Sequence, residues 1–154
     1  MNRVLNIGNF PNEFLDDPEH KSLINTLYVG KAIGCEKLYA SIDYVQPGGK
    51  SAKYHTHSTQ EEFFMILGGT GLLRMDGNEI PVRAGDVVSK PAGKGIAHQF
   101  INNGSEVLQI LDVGTQESND IATYPDERVI FIRNQDMVFK MEDQLEGWTS
   151  DPNT

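Results

Sequence analysis

The sequence predicts an all-β domain, a sandwich or barrel of short antiparallel strands, and two observations carry that expectation. Fifteen glycines and seven prolines are spread along the 154 residues, and the segments between them are short and rich in β-branched and aromatic residues. Asp76-Gly77-Asn78 separates two such segments. Gly and Asn tolerate the positive φ that tight hairpins require, so those two neighbours run antiparallel.

Residues 1–36 read as an irregular N-terminal arm with the first edge strands, wrapping the barrel or a partner subunit. Asp16-Asp17 before Pro18 could open one short helix there, and His20 reads as a surface residue. The body, 37–141, holds the expected strands 37–45, 51–57, 61–67, 71–75, 79–82, 86–90, 97–101, 107–113, 129–133 and 137–141. Nearly all are bounded by Gly, Pro, Asn or Asp. In the third, Phe63 to Leu67 is apolar on both parities, so a strand covered on both faces is expected. If Glu62 faces inward, so do Phe64 and Ile66. Phe63, Met65 and Leu67 would then meet the arm or a second copy, which suggests a homodimer. Residues 142–154 form a polar tail expected to fray.

Composition narrows the function. A net charge of −9 with no cluster of Lys and Arg opposes nucleic acid and anionic membranes as partners. No apolar run approaches the roughly 18 residues of a membrane span, and the opening residues lack an apolar core for export. A cytoplasmic location is therefore expected. Cys35 is the sole cysteine, which excludes an intramolecular disulfide and reads as a buried small hydrophobe.

The informative residues are histidines. There are four, and three fall in two short strand-like segments. His55 and His57 leave the same face of an extended strand with Cα atoms roughly 6.6 Å apart, so their imidazoles can share an ion. Glu61 or Glu62 can supply a carboxylate. His98 opens another strand about forty residues on, and only a fold that brings the strands together places it near the pair. Neutral imidazoles with a carboxylate suit Mn, Fe, Ni, Zn or Cu, and an octahedral ion with four protein ligands keeps positions open for substrate.

Gly49-x5-His55-x-His57-x4-Glu62-x6-Gly69 has the form of the first cupin motif, and Gly85-x5-Pro91-x-Gly93 followed by His98-x3-Asn102 resembles the second. Residues 38–113 carry the resemblance. It implies a cupin double-stranded β-helix, a jelly-roll barrel of two antiparallel sheets. Its interior would hold one divalent transition metal per chain (Mn, Fe, Ni or Zn) on His55, His57, Glu62 and His98. Two departures stand out. Four residues separate Gly93 from His98 where the family usually has two, leaving Gly95 as an alternative turn glycine, and Glu61 fits a shorter spacing that ends at Gly68. Glu62 is preferred because it aligns Gly69-Thr70-Gly71 with the usual turn.

Other polar residues have bland readings. Asp86 and Lys90 read as strand-edge charges, with a supporting position behind the metal ligands as the alternative for either. Lys53 shares parity with the histidines and could meet an anionic ligand at the barrel mouth; Phe64, Phe100 and Tyr44 are candidates to line the pocket, with Gln99 and Asn102. A small-molecule ligand inside the barrel is expected. The expected activity is that of a metalloenzyme acting on a small polar organic acid or sugar derivative, an isomerase or lyase, or an oxygenase with iron, in which Glu62 also moves a proton. The Tyr124-Pro125-Asp126 segment resembles small bacterial cupins labelled sugar-phosphate isomerases. The other class is a non-catalytic barrel that binds a small ligand or metal.

Overall fold

In the computed structural model, which describes residues 4–15 and 23–153, the apolar run after Glu62 forms β4 (Glu62–Gly68). Its inward positions Glu62, Phe64 and Ile66 are buried at 4%, 3% and 1% exposure, while Phe63 and Leu67 are 43% and 40% exposed. The alternation is that of a strand with one packed face. β4 pairs antiparallel with β7 (Val87–Lys90) on one side and β9 (Leu108–Thr115) on the other. β9 in turn pairs with β2 (Leu38–Val45), and β2 with β1 (Ile24–Leu27). The first layer is thus β1-β2-β9-β4-β7.

The second layer comes in two parts. β5 (Thr70–Met75) joins β6 (Asn78–Arg83) and β8 (His98–Ile101). β3 (Thr56–His57) joins β10 (Ile121–Tyr124), then β11 (Val129–Ile132) and β12 (Met137–Lys140). A backbone bridge between His55 and His98 ties the two parts together. Val45, Phe64, Ile66, Leu73, Val82, Phe100, Leu108 and Ile110 fill the space between the layers as one core cluster. The β5–β6 hairpin turns at Asp76 (φ 48°) and Gly77 (φ 76°), the pair of positive φ values that a two-residue hairpin loop with right-handed twist requires.

Several expectations need correcting. The strand expected at 51–57 is reduced to Thr56–His57, because side chains take ladder positions ahead of it: the Ser51 hydroxyl accepts from Phe100 N at 3.1 Å, and Gln99 Nε2 donates to Ala52 O at 2.6 Å. The arm holds an edge strand, β1, as expected, together with an unexpected five-residue helix α1 (Val29–Ile33) closed by Gly34 at φ 80°. Gly30 of α1 lies against the Ala40 backbone, where a β-carbon would come within 2.7 Å of Ala40 N. β10 was not anticipated. Cys35 is only half-buried, and Lys90, at 1% exposure, is no edge charge. The helix start at Asp16 to Pro18 and the surface reading of His20 fall outside the described residues.

Candidate metal centre

The antiparallel bridge that links the two parts of the second layer also builds the site. His55 N donates to His98 O at 3.2 Å and His98 N to His55 O at 2.9 Å, so the two residues oppose each other directly and present their side chains on one face. Their ring centroids are 4.7 Å apart. His57 follows on β3, and its Nε2 lies 3.1 Å from His55 Nε2. From the facing layer, β4 contributes Glu62, whose Oε1 is 3.4 Å from His57 Nε2 and whose Oε2 is 3.8 Å from His98 Nδ1. Ligand atoms of His55, Glu62 and His98 all lie within 4.8 Å of one another, and His57 joins them through His55 and Glu62. Glu61, one residue back, is exposed, and the strand alternation turns Glu62 inward.

Hydrogen bonds fix which ring nitrogens carry protons. His55 Nδ1 donates to Lys53 O at 2.7 Å, and His57 Nδ1 is 2.5 Å from Asp120 Oδ2. His55 and His57 thereby each carry a proton on Nδ1 and turn Nε2 inward. Asp120 is fully buried and also accepts from Thr59 N at 3.0 Å and Gln60 N at 3.3 Å on Oδ1. Burial alone would raise its pKa, but those bonds and the one from His57 hold it down at about 2.

Glu62 is equally constrained. Tyr39 donates to its Oε1 at 2.8 Å and Gln60 Nε2 does so at 3.1 Å, while Lys90 Nζ, its cross-strand partner, stands 2.6 Å from Oε2. That last contact is an ion pair without hydrogen-bond direction, since neither atom has a well-aligned partner. Burial would raise the Glu62 pKa, yet the neighbouring His57, His98 and Lys90 outweigh it and keep the group a carboxylate. Burial lowers His55 to about 4 and His98 to about 3. These two imidazoles are therefore neutral near pH 7, the form that binds metal.

Tyr39 reaches Glu62 because β9 carries Gly114 between them: Gly114 pairs with both residues, and a β-carbon there would run into the Tyr39 ring. The Tyr39 hydroxyl also stands 2.9 Å from Asp112 Oδ1. Burial, with Asp43 and Glu62 nearby, raises Asp112 well above the usual carboxylate range. These groups face a cavity of about 700 Å³ that opens between the layers.

The cavity wall includes Lys53, Phe64 and Phe100, as the sequence suggested, but not Tyr44. Tyr44 alternates to the opposite face of β2 from Tyr39, Asp43 and Val45. Lys53 is 67% exposed and pairs with Glu127 at 3.4 Å. Asn102 serves the backbone instead, its Nδ2 donating to Val45 O and Glu106 O, both at 2.7 Å. Sequence reasoning missed Tyr39, Gln60, Asp112 and Asp120, and held a place beside the ligands only as the alternative for Lys90. Gln60 shares the parity of Glu62 and could have been found; the others reach the site only through strand pairings that no local pattern announces.

Residues 42–114 match the family model described as a cupin domain. The fold is the cupin barrel. The chain superimposes on a sugar phosphate isomerase of the cupin superfamily from Silicibacter pomeroyi with a TM-score of 0.74 and 28% identity, over 84% of this chain and 82% of that one. A protein of Acidithiobacillus ferrooxidans, named provisionally for the same activity, gives a TM-score of 0.76 at 28% identity, over 82% of this chain and 81% of that one. The oxalate-binding protein of Thermotoga maritima is 34% identical over 67 residues, 44% of this chain, and the match spans 54% of that relative.

Proposed function

We propose that this cupin is a mononuclear metalloenzyme that binds one divalent transition ion through His55, His57, Glu62 and His98 and isomerises a small hydroxylated substrate of the sugar-phosphate type. The observation that carries the reading is the facing of two Nε2 lone pairs, His55 and His57, 3.1 Å apart. Each ring's other nitrogen is spent on an acceptor, so both Nε2 atoms are left to face the cavity, where a cation suits them. His98 Nδ1, buried and without a partner, and the Glu62 carboxylate complete a borderline N3O donor set suited to Mn, Fe, Ni or Zn.

When bound, such an ion polarises a substrate carbonyl or hydroxyl and lowers the cost of an enediolate. The remaining roles belong to the chain. Lys90, Tyr39 and Gln60 hold Glu62 as a carboxylate, which suits a ligand and leaves an ionised oxygen in the cavity to take the carbon-bound proton of the substrate while Asp112 protonates its oxygen. Asp112 is the carboxyl that carries a proton: one Tyr39 hydroxyl proton cannot serve both of its carboxyl neighbours, and Glu62 is the one held ionised. Asp112 can hand its proton to a substrate oxygen, while Phe64, Phe100 and Tyr124 exclude water from the metal side. The two sugar phosphate isomerase neighbours favour this chemistry at the level of fold; the oxalate-binding relative favours a barrel that only binds a small acid.

Metal analysis of protein purified without chelator, followed by assays of sugar-phosphate isomerisation and oxygen uptake, separates these readings. About one equivalent of metal with isomerisation supports the proposal, and His57→Ala should then lose at least tenfold in metal affinity. Iron with oxygen consumption would assign an oxygenase, and wild-type protein without metal would leave the binding barrel.

A further inference from the structure

Arg133 follows β11 in a short 3-10 turn, with its backbone N–H donated to Asp120 O at 3.1 Å. Its guanidinium lines the same cavity as the histidines, beside Tyr124, which stacks on His55 at 5.7 Å between ring centroids. The side chain is 43% exposed, and its Nη2 lies 3.7 Å from Asp120 Oδ2, too far for a hydrogen bond. That oxygen is already taken by His57, and Oδ1 by Thr59 and Gln60. Among the described residues this long ion pair is the only polar contact of the guanidinium, so its N–H donors reach the cavity unspent. The other cations nearby are committed: Lys90 to Glu62 at 2.6 Å and Lys53 to Glu127 at 3.4 Å.

The opposite wall has the reverse character. β2 and β9 present Tyr39, Asp43 and Asp112, and Thr26 on β1 donates to Asp43 Oδ1 at 2.7 Å. A ligand in this space meets hydroxyl-binding carboxyls on one side and a planar fork of donors on the other. Guanidinium binds carboxylate and phosphate through two parallel hydrogen bonds, which an ammonium cannot do.

We infer that Arg133 is the anion-binding residue of the cavity: it takes the phosphate or carboxylate of a ligand whose hydroxyl-bearing end points to the β2–β9 wall. The inference rests on the reading of this cavity as the substrate site. It moves the anion contact from Lys53, where the sequence placed it, to a residue one side chain removed from the His57–Asp120 pair. Arg133 needs no movement of the barrel to act, because its partner Asp120 is satisfied without it.

The test titrates the full chain, as purified, with inorganic phosphate and separately with malonate, following binding by calorimetry and metal content on the same samples. Wild type is expected to bind at least one of the two anions in a one-to-one ratio, and the tighter anion identifies the head group. Arg133→Met should weaken that binding at least tenfold with the metal content unchanged. Arg133→Lys, which keeps the charge and the fold but not the fork, should weaken it several-fold. Failure of wild type to bind either anion, or equal affinity in wild type and both variants, overturns the inference. An Arg133 effect in protein that carries no metal would sink the metalloenzyme reading while leaving the anion site in place.

Discussion

Glu62 and Lys90 face each other across β4 and β7 at 2.6 Å, with side chains 4% and 1% exposed. Two opposite charges so buried are costly to separate, because removing one leaves the other without water or partner. Lys90→Met should therefore lower the stability of the metal-free protein by about 3–5 kcal/mol. A divalent ion brings the charge that the variant lacks, so adding metal should restore much more stability to Lys90→Met than to wild type. Thermal melts of both proteins with and without metal measure this. A loss of equal size with and without metal would show that Lys90 matters for packing and not as the counter-charge of Glu62. At this scale spacing alone paired His55 with His57, and Glu62 and His98 became legible through the match to the two cupin motifs. Lys90 and Asp120 did not: their place depends on which strand pairs with which.

At the level of elements, the strands that could be read were those with a clean inward face. β4 shows its alternation because one side meets the core, and the β5–β6 hairpin shows itself because Asp76-Gly77-Asn78 leaves the chain little alternative. The segments that escaped were those where polar groups do structural work. Residues 51–55 look like a strand in composition, yet Ser51 and Gln99 take over its hydrogen bonds. β1 carries Asn25 and Thr26 among its four residues, with Thr26 turned in to meet Asp43, so it lacks an apolar face to read. α1 spans only five residues, too few for a helical period to show. The loop before His98 was flagged for its extra length, and both of its glycines, Gly93 and Gly95, adopt φ 68°. The choice between them was therefore a false one: the longer loop uses two left-handed positions and still delivers His98 opposite His55.

For the molecule as a whole, the buried polar centre makes stability depend on pH. In the metal-free fold His55 and His98 titrate at about 4 and about 3, against about 6.5 for an unfolded histidine. Between those values the unfolded chain holds more protons than the folded one, so acidification favours unfolding and stability falls as pH drops below about 6.5. Glu62 and Asp120, both depressed, add a loss of the same sign at lower pH, below the ordinary carboxylate range. Asp112, raised by burial, acts in the opposite direction, contributing stability that is lost as pH rises through its own folded value. From pH 6.5 to 4.5 the two imidazoles act against the one raised carboxyl, and the melting temperature of metal-free protein should decline over that range. A flat profile over that range would mean that the imidazoles are solvated in solution.

The convergence of the two layers on one ion is tested most directly by an anomalous difference map from crystals of the manganese-loaded protein. One strong peak within about 2.0–2.3 Å of nitrogen atoms of His55, His57 and His98 and an oxygen of Glu62 is the expected result. A peak elsewhere in the molecule, or none at these four side chains at full manganese loading, would contradict it.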